Sequence, residues 1–226
     1  MPAPHRGEHV THRLIFVCEA NICRSPLMEQ ALRARVDAEL WEITSAGTRV
    51  GPGDLPMCEV SAEIAAASGA DIAAAAHRST AIDLDDLQAA DLVLTASRAE
   101  RSVVAQLTPD ARARTFTLRE AVHLGADPLH PDELAAVAAF SAASPADDLA
   151  TYAAALHRRR GFVTPPSTGR VLFGKRRPHP FDIPDAHHGS AKEHRAMLER
   201  TALDIAELER QVGAFLVPPV AGRATH

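Results

Sequence analysis

Phe16-Val17-Cys18-Glu19-Ala20-Asn21-Ile22-Cys23-Arg24-Ser25-Pro26 joins an apolar run to a helical pattern, and that junction decides the fold. Residues 13–17 are compact and apolar, as a buried strand requires. From Ser25 onward Leu27, Ala31, Leu32 and Val36 fall on one side of a helix. Strand, polar loop and helix therefore follow one another, with Cys18 at the end of the strand. Ser25 suits the N-cap, and Pro26 suits the first helical position because its missing N–H is one the helix leaves unpaired.

Working outward, residues 41–46, 91–95 and 114–118 read as further strands, and residues 54–68 and 99–107 as helices, the second stopped by Pro109. The alternation predicts an α/β fold, a four-stranded parallel sheet with helices on both faces. Ligands in such folds sit beyond the carboxyl ends of the strands, where the Cys18 loop lies. The pattern changes over residues 121–180, with alanine-rich helical stretches at 131–141 and 145–158 and then a run rich in Pro, Gly and Arg. This predicts an insertion within a single domain spanning residues 1–226, closed by a last helix at 190–215. His157-Arg158-Arg159-Arg160 and Lys175-Arg176-Arg177 bracket the Pro- and Gly-rich run. Such charge runs are ordinarily solvated. The alternative is that they steer substrate or bind a partner, since the run leads straight into Asp182.

Binding a phosphate dianion takes inward-pointing backbone N–H groups, a planar cation and a helix start beneath the anion. Residues 18–26 supply all three. Arg24 offers a fork for two phosphoryl oxygens, a geometry lysine does not provide. Asn21 tolerates the left-handed backbone of a tight anion-wrapping turn. A helix N-terminus and a neighbouring arginine favour the thiolate of Cys18, and Ser25 is placed to donate a hydrogen bond to that sulfur. An isolated cysteine is more often a small buried hydrophobe; here Cys, Arg, Ser and Pro arrive together between a strand and a helix.

The 226 residues are 46% hydrophobic, enough to bury a core, and the formal charge of −5 gives no reason to expect nucleic acid. Three cysteines, Cys18, Cys23 and Cys58, lack the spacing of a disulfide framework, so a reducing, cytoplasmic setting is expected. The apolar run at residues 14–17 is too short for an export signal or a membrane span, so no membrane partner is expected either. Cys23 is close enough in sequence to pair with Cys18 on oxidation. Cys58 reads as a core residue of an apolar helix.

Phe16 to Pro26 resembles the signature of the low-molecular-weight protein-tyrosine phosphatases. The resemblance continues through Ser45-Ala46-Gly47-Thr48, His77, Ala90-Asp91-Leu92-Val93-Leu94-Thr95 and Phe116-Thr117-Leu118-Arg119-Glu120, and resumes at Asp182 and the last helix. It implies a Rossmann-like four-stranded sheet, hydrolysis of phosphotyrosine in proteins, and no metal or organic cofactor. The phosphate-binding loop would then be Glu19, Ala20, Asn21, Ile22, Cys23, Arg24 and Ser25, with Ser45 and His77 holding it in shape. Ala20 stands where the family usually has Gly, so no strongly left-handed backbone is expected there. Glu19 puts a negative charge beside an anion site, tolerable if it faces outward.

A tyrosine leaving group needs a proton, and three aspartates compete to give it: Asp127-Pro128 has the dipeptide the family favours but precedes the insertion helices, whereas Asp185 has the right place relative to the last helix and is the expected general acid, with Asp182 as the fallback. Ala186 follows Asp185 where the family has Pro. His187 and His188 stand where the family often places aromatic residues flanking the substrate ring. Two other functions remain open: a phosphotyrosine-binding module that has lost its acid, and an arsenate reductase-like enzyme, for which Cys58 is badly placed as a relay thiol.

Overall fold

The computed structural model describes residues 12–52, 54–138, 148–167, 178–187 and 189–216. Four strands, β1 (His12–Cys18), β2 (Trp41–Gly47), β3 (Leu92–Thr95) and β4 (Thr115–Thr117), form a parallel sheet in the order β2-β1-β3-β4. Nine helices are described: α1 (Arg24–Arg33), α2 (Glu59–Ala67), α3 (Asp71–Ala76), α4 (Leu84–Ala89), α5 (Arg98–Leu107), α6 (Leu118–Leu124), α7 (Pro131–Ala138), α8 (Leu149–Arg159) and α9 (Ala191–Leu216). A 3-10 turn, Pro109–Arg114, leads into β4. No helix among the described residues is long and apolar enough to cross a membrane.

Side chains alternate across a strand, and β1 uses both faces. Leu14, Phe16 and Cys18 point into the larger core with α1, α6, α8 and α9, while Ile15 and Val17 meet Leu87 of α4 and Val104 of α5. Burial on both faces is why residues 14–17 are continuously apolar instead of alternating. The same geometry delivers Cys18 to the α1 side of the sheet's carboxyl edge.

Several elements differ from the sequence expectation. The second helix starts at Glu59, not near residue 54, because residues 55–58 run extended across the phosphate loop: Leu55 O accepts from Ser79 N and Cys58 N donates to Ile22 O, each at 2.9 Å. The short helices α3 and α4 have too few turns to show a period. Helix α6 carries on directly from β4 through a capping box, Thr117 and Glu120 each satisfying the other's backbone N–H. It runs through residue 121, where the pattern was expected to change.

The alanine-rich stretch at 145–158 is present as α8, but it is not peripheral. Leu149, Tyr152, Ala153 and Leu156 belong to the same core cluster as Phe16 and Phe116. The basic residues at its end are likewise structural. Arg159, 8% exposed, donates to the carbonyls of Leu124, Asp127 and Pro128 and pairs with Glu133 at 2.7 Å. Arg160 stacks over Phe116 at 4.1 Å and pairs with Glu120 at 2.9 Å. Lys175-Arg176-Arg177 lies outside the described residues.

Candidate active site

The loop after β1 is built on its own side chains. Asn21 is the one non-glycine residue with positive φ (55°) among those described, and Ala20 needs no such conformation. The Asn21 backbone N–H and the Ser25 hydroxyl both donate to Cys18 Sγ, at 3.3 and 3.0 Å. The sulfur of Cys18, a residue 2% exposed, therefore accepts two hydrogen bonds. Helix α1 begins at Arg24 with Cys23 as a cap that makes no side-chain bond. Ser25 is thus inside the first turn rather than the N-cap, because its hydroxyl is turned to the sulfur.

Asn21 uses its whole amide. Its two N–H bonds go to Ser25 Oγ (2.9 Å) and Ser45 Oγ (2.8 Å), and its carbonyl oxygen accepts from Thr80 N at 2.8 Å. Ser45 passes its own hydrogen to Glu29 Oε2 at 2.6 Å. A chain thus runs from Glu29 through Ser45, Asn21 and Ser25 to Cys18, and such chains polarise one another in a dry interior. Burial pushes the Glu29 carboxyl up, opposed by the Ser45 hydrogen bond and by Arg33. His77 Nε2 donates to Asn21 O at 2.9 Å, which fixes the proton on that nitrogen. Ser45 and His77 therefore stand where the sequence expectation put them. Glu29 and Thr80 were missed; the legible hint for Glu29 was an acid one turn beyond Ser25 on the same helix.

Cys18 pairs in register with Gly47, and the loop crosses over that glycine. A Cβ at Gly47 would lie 2.8 Å from Glu19 O and 3.0 Å from Ala20 C, both backbone atoms, so no larger residue fits without moving the loop. Glu19 faces outward and pairs with Arg49 at 2.9 Å, which answers the concern about its charge.

Arg24 is 6% exposed and set between two carboxylates. Its Nη1 lies 3.5 Å from Glu100 Oε1, and its Nη2 lies 3.8 Å from Asp185 Oδ2. Glu100, in the first turn of α5, is as buried as the arginine, and removing one partner of such a pair costs about 3–5 kcal/mol. Nothing in the sequence marks Glu100, since an acid in a helix's first turn is ordinary.

Asp185 arrives from far along the chain because the segment before it is strapped to the sheet. Ile183 N donates to Ala96 O at 2.8 Å, and Arg119 donates to Asp182 O at 2.8 Å while pairing with Asp204 of α9 at 2.9 Å. Asp182, the fallback acid, accepts from Arg98 N at 2.9 Å and pairs with the Arg98 guanidinium, so it serves the start of α5. Asp185 Oδ1 accepts from His187 N at 3.1 Å, leaving Oδ2 toward Arg24. A cavity of about 230 Å³ is enclosed by Cys18, Glu19, Ala20, Ile22, Cys23, Arg24, Arg49, Asp185 and His187. His188 lies outside the described residues.

Cys58 departs from expectation: it is not inside an apolar helix but immediately precedes α2, half-buried against Cys23. The pair holds its protons unequally. Cys58 is drawn down to about 5, chiefly by the hydrogen bond from Cys23, while Cys23 as the donor is pushed up.

A parallel sheet ending in a cysteine loop over a helix start, with arginine and aspartate in one cavity, defines a phosphate-handling α/β fold built on a thiol. Residues 13–131 match the family described as low molecular weight phosphotyrosine protein phosphatase, and the chain belongs to that family of phosphatases. A protein-arginine-phosphatase of Geobacillus stearothermophilus is 31% identical over 111 residues, which is 49% of this chain and 72% of that protein. A low molecular weight protein-tyrosine-phosphatase of Streptomyces coelicolor is 51% identical over 43 residues, 17% of this chain and 26% of that protein. Among solved structures, a low molecular weight protein tyrosine phosphatase from T. tengcongensis superposes with a TM-score of 0.55 at 22% identity, covering 89% of this chain and 99% of that one. An arginine phosphatase from Geobacillus stearothermophilus gives 0.57 at 19%, covering 90% and 94%. These two share the fold.

Proposed function

We propose that the protein hydrolyses phosphotyrosine in proteins through a phosphocysteine on Cys18. The observation that carries this is the placement of Cys18, Arg24 and Asp185 on one cavity. Cys18 attacks phosphorus in line as the P–O bond to the tyrosine breaks, and Arg24 and the loop N–H groups hold the equatorial oxygens. Asp185 gives its proton to the leaving phenolate. Water then attacks the phosphocysteine, its proton passes to Asp185, and inorganic phosphate leaves with the thiolate restored.

Part of the wall suits an aryl group: Ile22 and Ala20 offer apolar surface and the His187 ring stands at the cavity. Since one relative is a protein-arginine-phosphatase, the test compares kcat/KM on matched phosphotyrosine and phosphoarginine peptides. Higher kcat/KM on phosphoarginine would overturn the substrate assignment. Cys18→Ser should leave no measurable turnover of an aryl phosphate; residual turnover near wild type would remove Cys18 as nucleophile.

Thiol chemistry around Cys23 gives a second test. If Cys23 protects Cys18 by pairing with it, peroxide inactivation of Cys23→Ser will no longer be reversed by thiol. An arsenate reductase-like activity would have to pass through Cys23 to reach Cys58, and arsenate-dependent loss of free thiols is its signature.

A further inference from the structure

Three donor atoms of the zinc-binding type converge on the wall between the phosphate loop and the segment carrying Asp185. Cys23 Sγ and ring nitrogens of His187 and His194 lie within 4.8 Å of one another. Cys23 Sγ stands 3.5 Å from His187 Nδ1. In a tetrahedral zinc site, with Zn–S about 2.3 Å and Zn–N about 2.0–2.1 Å, sulfur and nitrogen ligands are about 3.6 Å apart. That edge is therefore already at ligand spacing, and the edges to the third donor, within 4.8 Å, exceed it by at most about 1.2 Å. Cys58, half-buried beside Cys23 and outside that triangle, is the further thiol at this wall.

A second observation concerns His194 itself. It is 8% exposed, and its Nε2 is buried with no hydrogen-bond partner among the described residues. A buried polar nitrogen left unpaired costs about 1–3 kcal/mol, so its retention in the first turns of α9 needs a reason. Its ring stands edge-on to that of His187 with centroids 5.3 Å apart.

We propose that Cys23, Cys58, His187 and His194 form a binding site for a thiophilic divalent cation, with Zn²⁺ the best fit. Two thiols and two imidazoles select zinc over the hard cations Mg²⁺ and Ca²⁺, which take oxygen ligands. The cation binds the two sulfurs as thiolates, and any proton they carry is released to solvent; nothing is oxidised or reduced. The four ligands come from the phosphate loop, the residue before α2, the Asp185 segment and α9. His187 lies two residues beyond Asp185 and Cys23 adjoins Arg24, so occupancy pins the general-acid segment to the phosphate loop. The site does not depend on whether the substrate is phosphotyrosine.

The test uses the full chain, kept reduced and stripped of metal, titrated with Zn²⁺ against a chromophoric chelator and separately with Co²⁺. One equivalent should bind, Tm should rise with Zn²⁺, and Co²⁺ should give thiolate charge-transfer absorption with the visible bands of a tetrahedral site. Cys58→Ser and His194→Gln should each weaken Zn²⁺ binding by more than about tenfold, while Cys18→Ser should bind as wild type does. Melting in chelator shows which variants fold, and His194→Gln decides the matter if Cys58→Ser does not. Absence of stoichiometric binding overturns the proposal. So does binding that survives in His194→Gln but disappears in Cys18→Ser, since the nucleophile would then be the ligand.

Discussion

The phosphate loop and the segment carrying Asp185 border the same cavity, yet they are held in opposite ways. The loop is closed on itself: every polar atom of the Asn21 side chain has a partner, and Cys18, Asn21 and Ser25 are at most 2% exposed. The Asp185 segment is fixed before the acid, through Asp182 and Ile183, and the Asp185 side chain itself is 43% exposed. In the proposed mechanism this makes the loop a pre-organised anion cradle and leaves Asp185, as proton donor, with the access to solvent it needs if water is to follow the leaving group.

The sharpest way to break this contrast is Asp185→Asn. It should lower kcat on aryl phosphates by about 100- to 10,000-fold, with Tm unchanged because little packing depends on an exposed side chain. An unchanged kcat in steady-state assays would remove Asp185 from the mechanism. Asn21→Ala should act the other way round. Leaving Thr80 N and the Ser45 hydroxyl short of partners costs about 1–3 kcal/mol, so Tm should fall and kcat/KM should drop by roughly tenfold or more. A thermal melt that does not move would mean that the loop is held by its backbone alone.

The smallest effect concerns Glu29. Burial raises its pKa in the folded protein above the ordinary carboxylate value, so the folded state takes up a proton more readily than the unfolded one. Its contribution to stability is fully present below the ordinary pKa and is lost as pH rises through the raised one. The stability of wild type relative to Glu29→Gln, from urea unfolding across that range, should therefore decline with rising pH and level off above it. A flat difference would show that the Ser45 hydrogen bond and Arg33 fully offset burial.

The same contrast explains what could be read from the sequence. The strand, the loop and α1 are contiguous, so residue types alone marked Cys18, Arg24, Ser25 and the left-handed Asn21. Asp185 was singled out by its position relative to the last helix, with Asp182 as its rival; the fold sets them apart by pairing Asp182 with Arg98 and turning Asp185 to the cavity. Glu100, Glu29 and Thr80 carry no local mark, because their roles are contacts between elements distant in the chain. The Cys23–Cys58 pair was hidden for the same reason. The arginines at the end of α8 were misjudged because a charge run is ordinarily solvated, whereas Arg159 finds three carbonyls and a glutamate that only the folded chain brings together.

The exposed Glu19–Arg49 pair at the cavity mouth has a kinetic consequence. Each of its charges largely cancels the other's field at a distance, so the formal charge of −5 on the whole chain governs the far field felt by an approaching dianion. Encounter is then mildly repulsive until the last few ångströms, within a Debye length of about 10 Å at 0.1 M salt. Added salt should speed capture of a small phosphate ester rather than slow it. Attraction begins only once the ester is inside the cavity, within reach of Arg24.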